Sequence, residues 1–409
     1  MSQEIIIQQE PNQFQVAIVE DGRLAEYYLQ KDDASPVVGS IYRGIVESVL
    51  PGMQAAFIDI GWERSAYLAL EDIMLNDEAV KPNIGDILKA GQSVIVQIKK
   101  EAVDAKGPKV TMELSLQGRT MVLIPGKYQV NISKKITDSC KRQELKTLAD
   151  TILLDDRYDM PLGVIIRTAA EDCSSEELQQ EFYWLQEKWK KLQESMRQVQ
   201  KPGLVAIDQH MAARIIRECV QDGNLLGIYV NDVTLYEALQ QQIPERSIRF
   251  KLHLREENLI EAFQLDGEIR TLHKRRVHLA SGAELVIDRT EAMNVIDVNT
   301  ASFIGKKELA DTIIATNLEA AKEIAHQIRL RNLSGIILID FIDMKQAEHQ
   351  EQVLKTLETV LKQERVKTKV HGISHLGLVE VTRQRTRAPL TDVMEQECEM
   401  CGGRGRVGK

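Results

Sequence analysis

The sequence lacks long apolar runs: none approaches the roughly 18 residues that a membrane-spanning helix requires. Its first residues, MSQEIIIQQE, contain neither the basic segment nor the long apolar core of a signal peptide. Cysteine is scarce, with an odd total of five, so a disulfide framework is not expected. These absences argue against membrane and disulfide-rich secreted proteins, and they predict a cytoplasmic protein without a membrane partner.

The sequence also lacks an excess of positive charge, since 52 lysines and arginines face 61 acidic residues, for a net charge of −9. This total argues only weakly against nucleic-acid binding, because binding requires a local basic patch. Three basic clusters are present: residues 362–387 with a local excess of five positive charges, LHKRRVHL at 272–279, and the terminal GRGRVGK. One such cluster is usually solvated surface, whereas several of them near acid-bearing strands favour a polyanionic partner.

A chain of 409 residues is too long for one ordinary core, and its patterns change along its length. Two alternating apolar runs surround Asp21-Gly22 within residues 4–30 and predict a hairpin. Five short strand-like segments between 37 and 116 predict a small antiparallel barrel. After residue 203, helical segments alternate with apolar strands, so the sequence predicts a multidomain α/β protein.

Residues 174–200 have the clearest helical pattern. Ser174 and Glu177 have the spacing of a capping box, and Pro202-Gly203 ends the pattern. Apolar residues recur at alternating four- and three-residue steps, which places them on one face and indicates packing rather than a binding function. They are Leu178, Phe182, Leu185, Trp189, Leu192 and Met196.

Two apolar strand-like runs end in acids: NVIDVN (294–299) contains Asp297, and GIILIDFIDM (335–344) contains Asp340. α/β folds usually place ligand sites at the carboxyl ends of neighbouring strands. Mg²⁺ takes one or two carboxylates together with waters and phosphate oxygens, so the pattern favours a Mg²⁺ site for phosphodiester chemistry. The alternative is that both aspartates cap turns or helices. Asp343 fits either an outer position around the metal or a purely structural role.

Four longer motifs follow one another along the chain: VIDVNTASF, TNLEAAKEIAHQIRLRNLSGIILIDFIDM, GLVEVTRQR and CEMCGGRGRV. In this order they resemble the RNase E/G family of bacterial endoribonucleases, and the separation of Asp297 and Asp340 also agrees with the family pattern. The resemblance implies that both aspartates bind catalytic Mg²⁺ and that Asn299 supports them. It further implies that metal-activated water hydrolyses single-stranded RNA and leaves a 5′-phosphate on the downstream product.

The resemblance also implies a domain plan in which an S1 (OB-type) β-barrel and a 5′-sensor region are inserted in a non-catalytic RNase H-like subdomain. A DNase I-like α/β catalytic subdomain and a short zinc link follow. The implied ranges are 1–36 and 203–272 for the RNase H-like subdomain, 37–116 for the S1 domain, 117–202 for the 5′-sensor region, 273–395 for the DNase I-like subdomain and 396–409 for the zinc link.

Within the S1 domain, the resemblance implies that Phe57 and Tyr67 are RNA-contacting aromatic residues and that Lys106 is a basic contact. Aromatic faces stack unpaired bases with little sequence preference. Without the family, small and apolar neighbours in QAAFIDIG favour a place for Phe57 in the barrel core.

GVIIRTAAED (163–172) resembles the family segment that senses a 5′-monophosphate. There Arg167 would contact the phosphate with its forked guanidinium, Thr168 would add a hydroxyl, and Val122 would add a backbone contact. Lys367 occupies the place of the sensor's other arginine. A lysine keeps the charge but loses the planar fork, so the strength of 5′-end dependence stays open.

CEMCGGRG supplies Cys398 and Cys401, whose spacing lets both bind one metal ion. Tetrahedral zinc needs four ligands, and the remaining cysteines are isolated along the chain, so the sequence predicts one Zn²⁺ shared between two chains. This agrees with the zinc link by which RNase E/G enzymes dimerise; the alternative is an unmetallated tail. Only eight residues follow Cys401, which favours a dimer over a tetramer and gives no indication of a degradosome scaffold.

Two other functional classes stay open. One is a non-catalytic S1-type RNA-binding protein with vestigial acids, against which the intact aspartate pair argues. The other is a zinc scaffold that assembles partners, against which the short tail argues. Ribosomal RNA precursors, transfer RNA precursors and messenger RNA are all candidate substrates, with a slight preference for a G-like role.

Overall fold

The structure is a computed structural model, and the chain in it forms two compact units. The first unit comprises residues 1–32, 224–238 and 248–409, and the second comprises residues 33–223 and 239–247. The structure describes residues 2–31, 36–74, 82–102, 106–153, 161–171, 173–207, 211–220, 225–242, 251–255, 257–300, 309–396, 398–401 and 405.

The described strands and helices are numbered here in chain order. The strands are β1 (Gln3–Glu10), β2 (Gln13–Glu20), β3 (Arg23–Lys31), β4 (Ser40–Leu50), β5 (Ala55–Asp59), β6 (Ala66–Ala69), β7 (Ser93–Lys100), β8 (Lys109–Thr111), β9 (Leu116–Gln117), β10 (Met121–Pro125), β11 (Val130–Ile132), β12 (Leu162–Ile166), β13 (Gly203–Ile207), β14 (Leu225–Val230), β15 (Lys251–Leu254), β16 (Arg276–His278), β17 (Glu284–Arg289), β18 (Met293–Asn299), β19 (Gly335–Asp340), β20 (Thr368–Ile373) and β21 (Val379–Arg383). The helices are α1 (Ile84–Ile87), α2 (Ser139–Leu153), α3 (Ser175–Gln198), α4 (Met211–Val220), α5 (Val233–Gln242), α6 (Leu259–Ala262), α7 (Asp266–Ile269), α8 (Leu309–Leu330), α9 (Ala347–Leu361) and α10 (Leu390–Met394).

The second unit contains the predicted barrel. Strands β4, β5, β6, β8 and β7 are hydrogen-bonded in that order, and pairing of β4 with β7 closes the sheet. The five-stranded barrel is therefore confirmed, since these strands match the five segments found between 37 and 116. The prediction that it is antiparallel is wrong for one pair, because β6 and β8 are parallel. β13, at the start of the stretch 203–272, extends the same sheet by pairing with β4. Long β4 can serve three neighbours because β13 and β5 pair with its first and later residues, Ser40–Arg43 and Ile45–Leu50, while β7 pairs with Ile41–Ile45 along its other edge.

A second sheet of this unit, in the order β11-β12-β10-β9, packs with α2 and α3 around one apolar core. The helix predicted at 174–200 is confirmed as α3. Its capping box is complete, because the Ser174 side chain accepts from the Glu177 amide and the Glu177 side chain accepts from the Ser174 amide. The predicted apolar face is buried in this core, with Met196 packed at its margin.

The first unit contains a mixed five-stranded sheet in the order β15-β14-β1-β2-β3. Strands β1, β2 and β3 are antiparallel, whereas β14 and β15 continue the sheet in parallel. The predicted hairpin is confirmed: β2 and β3 join at Asp21 and Gly22, whose φ angles of 48° and 81° suit a tight two-residue turn. Most of the second unit lies between β3 and β14 in the sequence, so this sheet is interrupted by a large insertion.

A buried ion-pair cluster ties this sheet to α8. The Glu26 carboxylate on β3 accepts hydrogen bonds from Arg329 of α8 (2.7 Å) and from Arg365. Burial alone would raise the pKa of Glu26, but the Arg365 and Arg329 charges outweigh it and lower the pKa to about 2. Because α8 also packs on the next sheet, the cluster joins two layers of the first unit.

That next sheet has six strands in the order β16-β17-β18-β19-β21-β20. β18 and β19 are parallel and are connected through α8, while the other neighbouring pairs are antiparallel. α8 and α9 cover one face, where alanine and isoleucine side chains of α8 pack on Leu285, Ile296, Ile337 and Ile339. Ile296 and Ile339 are paired with each other and face these helices. Because side chains alternate along a strand, Asp297 and Asp340, one residue farther on, project to the other face.

None of the helices that the structure describes is both long enough and apolar enough to cross a membrane.

Candidate active site

Asp297 and Asp340 lie directly opposite each other at the carboxyl ends of two neighbouring parallel strands. β18 and β19 pair from Met293–Ile336 to Asp297–Asp340, so the two acids are the last members of one register. Paired positions on adjacent strands project to the same face of a sheet. The structure therefore brings the two sequence-predicted acids together, although they are 43 residues apart in the chain.

Asn299 lies two residues after Asp297 on the same strand and the same face. Its Nδ2–H donates a hydrogen bond of 2.8 Å to Asp297 Oδ2. An amide donor on one carboxylate oxygen restrains the rotation of that carboxylate and leaves the other oxygen for a ligand. Asn299 is thus positioned to orient Asp297.

The carboxylates at this site repel one another. Partial burial raises the pKa of the Asp340 carboxyl, and the charges of Asp297 and Asp343 raise it further. A bound cation would remove this penalty, because it attracts the carboxylates that otherwise repel each other. Asp343 therefore contributes charge next to the pair.

The segment after Asp340 is held by a residue that the sequence patterns do not single out. Asn317 of α8 is fully buried. Its Oδ1 accepts from the Ile342 amide (3.1 Å), and its Nδ2–H donates to the Ile342 carbonyl (2.8 Å). This two-point contact fixes the backbone between Asp340 and Asp343. Two signals in the sequence could have found it: a polar residue inside an apolar-faced helix, and its place at the start of the motif TNLEAAKEIAHQIRL.

The oxygen ligands at this site suit Mg²⁺, an ion that keeps several of its coordinating waters. Among the described residues, no group of three or more histidine, cysteine or acidic side chains is placed to hold a metal ion. Two carboxylates with Asn299 in support agree with an ion that completes its coordination with waters and phosphate oxygens. They would not form an all-protein cage, so binding should strengthen when RNA is present.

In the barrel, Phe57 of β5 and Tyr67 of β6 are directly paired across adjacent strands. Their rings meet edge to face with centroids 6.1 Å apart. Both are half-buried, whereas Ala56 and Ile58 on either side of Phe57 are fully buried, so Phe57 lies outside the barrel core. Lys106 is exposed on the same unit.

Arg167 and Val122 line one cavity of about 460 Å³ in the second unit. Val122 is on β10, and Arg167 directly follows the paired strand β12, so the register of these strands places both residues there. An Arg167 Nη–H donates to the Gly118 carbonyl (3.1 Å). Thr168 follows in a short 3₁₀ turn, where its hydroxyl lies 3.2 Å from that of Ser133 rather than on the described lining.

Lys367 is exposed before β20 and belongs to the first unit, whereas Arg167 belongs to the second. Its link to the other predicted sensor residues therefore stays a prediction.

Cys398 and Cys401 lie close together near the end of the chain. Backbone N–H groups of Cys401 and Met400, together with the Cys401 side chain, hydrogen-bond to the Cys398 sulfur and lower the pKa of its thiol. The Gly405 amide likewise donates to Cys401 Sγ (3.3 Å). Amide donors stabilise thiolates, the form of cysteine that binds metal ions.

Residues 115–386 match the model of the Ribonuclease E/G family. Ribonuclease G of Escherichia coli (strain K12) is 38% identical over 420 aligned residues, which cover 100% of this chain and 85% of that protein. Ribonuclease G of Haemophilus influenzae is 38% identical over 417 residues, covering 99% and 84%. Ribonuclease E of a Nostoc species is 34% identical over 379 residues, covering 90% of this chain and 54% of that protein.

Proposed function

Because the chain belongs to the Ribonuclease E/G family, we propose that it cleaves single-stranded RNA internally at the Asp297–Asp340 pair. It is an RNA-cleaving hydrolase, as its family and its relatives indicate. The observation that carries the location of the site is the direct pairing of the two acids, with Asn299 hydrogen-bonded to Asp297.

In the proposed site, Asp297 and Asp340 would hold Mg²⁺. When bound, Mg²⁺ would polarise the phosphodiester and make water nucleophilic near neutral pH. Asn299 keeps the Asp297 carboxylate in one orientation, and Asn317 keeps the backbone after Asp340 in place. Attack of water on phosphorus with loss of the 3′-oxygen leaves a 5′-phosphate on the downstream product.

Phe57 and Tyr67 are proposed to stack two unpaired bases of the substrate. Their half-buried rings meet edge to face on neighbouring strands of the barrel, so each ring can stack on a different base of a single strand. Each stack is worth about 1–3 kcal/mol and is tolerant of sequence, so this contact favours unpaired RNA in general. Lys106 would add an electrostatic contact to the backbone.

The cavity lined by Arg167 and Val122 is proposed to accept a 5′-monophosphate. Lys99 and Arg214 also line it, paired with Asp72 and Glu101, and Glu113 is the one acid among the described lining residues, so the lining itself carries more positive than negative charge. Thr168 and Lys367 belong to this proposal through the family resemblance alone.

The domain plan is likewise proposed, with the boundaries given by the resemblance. The interrupted mixed sheet supports an RNase H-like subdomain, the closed barrel supports an S1 domain, and the sheet bearing both acids supports the catalytic subdomain. Cys398 and Cys401 are proposed to share one Zn²⁺ with a second chain. Processing of ribosomal RNA and decay of messenger RNA are the proposed roles.

The first test is cleavage of a single-stranded RNA with and without Mg²⁺. We expect internal cuts that depend on Mg²⁺ and that leave a 5′-phosphate on the downstream fragment, which end-labelling and a phosphate-dependent exonuclease would detect. A duplex of the same sequence should resist cleavage. RNA binding without cleavage at any divalent ion concentration would instead favour the alternative of a non-catalytic RNA-binding protein.

Arg167→Gln is expected to remove the preference for a 5′-monophosphate. A charged hydrogen-bond contact contributes about 1.5–3 kcal/mol, so the ratio of kcat/KM for 5′-monophosphate over 5′-hydroxyl RNA should fall about 10- to 100-fold, toward one. Cleavage of the 5′-hydroxyl RNA should be unchanged. Arg197→Gln, on an exposed residue of α3, is the matched control. An unaltered ratio in Arg167→Gln would refute the sensor.

A further inference from the structure

The basic cluster LHKRRVHL (272–279) has no part in the cleavage site described above, yet it borders a cavity of about 520 Å³ beside the edge strand β16. The lining includes Lys274, Arg275, Arg276, His278 and Arg331. No acidic residue is among the described residues of this lining. The cavity lies wholly within the first unit.

Arg331 is a buried cation in the wall of this cavity, and the residue is only 4% exposed. Its Nε–H donates to Gln327 Oε1 (2.6 Å) and an Nη–H donates to the Lys274 carbonyl (2.7 Å), and both acceptors are neutral. Burial lowers the pKa of Arg331 to about 10, although the charges of Glu323 and Glu395 act in the opposite direction. In the described part of the chain, no carboxylate reaches ion-pair distance of this guanidinium.

The remaining cations divide into paired and unpaired groups. Arg275 pairs with Asp288, and Arg276 pairs with Glu284. Lys274 is exposed, and within the described ranges it has no acidic partner. Lys274 and Arg331 therefore place two positive charges at one cavity without a carboxylate at ion-pair distance among the described residues, although Glu323 and Glu395 lie near enough to Arg331 to affect its pKa. A phosphate group, with several acceptor oxygens and negative charge, matches this arrangement.

The cavity lies beside the same sheet that carries the two acids. Arg276, Val286, Asp297 and Asp340 form one row across β16, β17, β18 and β19. Neighbouring strands are about 4.8 Å apart, so the backbone at Arg276 lies roughly 10 Å from that at Asp297. Arg276 shares the face of the acids, whereas Gln327 and Arg331 belong to the α8 side of the sheet, so a single strand bound at the acids would reach this cavity by passing over the β16 edge.

We infer that the cavity beside β16 binds a backbone phosphate of the RNA substrate, away from the scissile position, through Lys274 and Arg331. The inference rests on the proposed function, because RNA supplies the phosphate. The contact reads no base, so it holds the strand without selecting its sequence.

The test measures RNA binding in a chain that carries Asp340→Asn to prevent cleavage. The probe is a fluorescent 5′-hydroxyl single-stranded RNA, so that the Arg167 cavity has no terminal phosphate to bind. Adding Lys274→Ala should weaken binding about threefold to tenfold and should make the slope of log K against log salt shallower by about 0.7. Lys355→Ala, on an exposed lysine of α9, should change neither quantity. Arg331→Gln should act in the same direction.

In a second arm, inorganic phosphate is titrated at constant ionic strength and the midpoint of thermal unfolding (Tm) is measured. If Lys274→Ala removes a phosphate-dependent stabilisation but leaves RNA affinity and its salt slope intact, the RNA assignment is overturned in favour of a free phosphorylated molecule. If Lys274→Ala changes neither RNA binding nor the phosphate response, the site itself is refuted. A wild-type chain that fails to cleave while Lys274→Ala still weakens RNA binding would refute the nuclease and leave the cavity assignment standing.

Discussion

Replacing Asp297 or Asp340 by asparagine should abolish RNA cleavage while RNA binding persists. Asparagine has nearly the same shape, so the strands and the Asn299 contact can survive, but the site loses the charge that attracts a divalent ion. A catalytic metal supplies several kcal/mol of transition-state stabilisation, and about 4 kcal/mol corresponds to a loss of roughly 10³ in rate. The measurements are single-turnover cleavage and RNA affinity for each variant.

Mn²⁺ or Mg²⁺ titration by calorimetry supplies a readout that does not depend on turnover. Each aspartate variant should bind the ion more weakly, since only one carboxylate remains. Asp311→Asn, on an exposed acid in the first turn of α8, is the control and should retain both cleavage and ion binding. Cleavage at the wild-type rate in both aspartate variants would remove these residues from the catalytic site.

Local patterns predict much of this fold because their causes are local. The α3 capping box needs only Ser174 and Glu177 three residues apart, and the hairpin needs only Asp21-Gly22 between alternating runs. The strands that carry Asp297 and Asp340 at or near their ends are also visible in the sequence, because each is an apolar run that leads to an acid. These features could be predicted before any contact was known.

Features set by long-range pairing could not be predicted in the same way. That Asp297 faces Asp340 depends on the register of β18 with β19, and a shift of one residue would send one acid to the opposite face. Asn317 acts on Ile342, 25 residues away, and Arg331 reaches the carbonyl of Lys274, 57 residues away. No periodicity within a single element encodes such partners.

Replacing both Cys398 and Cys401 by alanine should convert a zinc-linked dimer into monomers. The amide groups of Cys401 and Met400 around the Cys398 sulfur favour a thiolate, and the adjacent glycines let the backbone turn around a metal. Two sulfur ligands from one chain fill half of a tetrahedral site, so in the proposed dimer a second copy would supply the other half. Because zinc binding would then contribute to the free energy of dimer formation, loss of zinc should raise the dimer dissociation constant at least about a thousandfold.

Elemental analysis of the wild-type protein should find about one zinc ion per two chains, and sedimentation equilibrium should give twice the mass of one chain. The double variant should contain no zinc and sediment as a monomer, as should wild-type protein treated with a strong chelator. Cys140→Ala changes an exposed cysteine on α2 and should leave both zinc content and mass unaltered. A double variant that stays dimeric without zinc would show that another surface joins the chains, whereas zinc bound to a monomer would require ligands beyond these two cysteines within one chain.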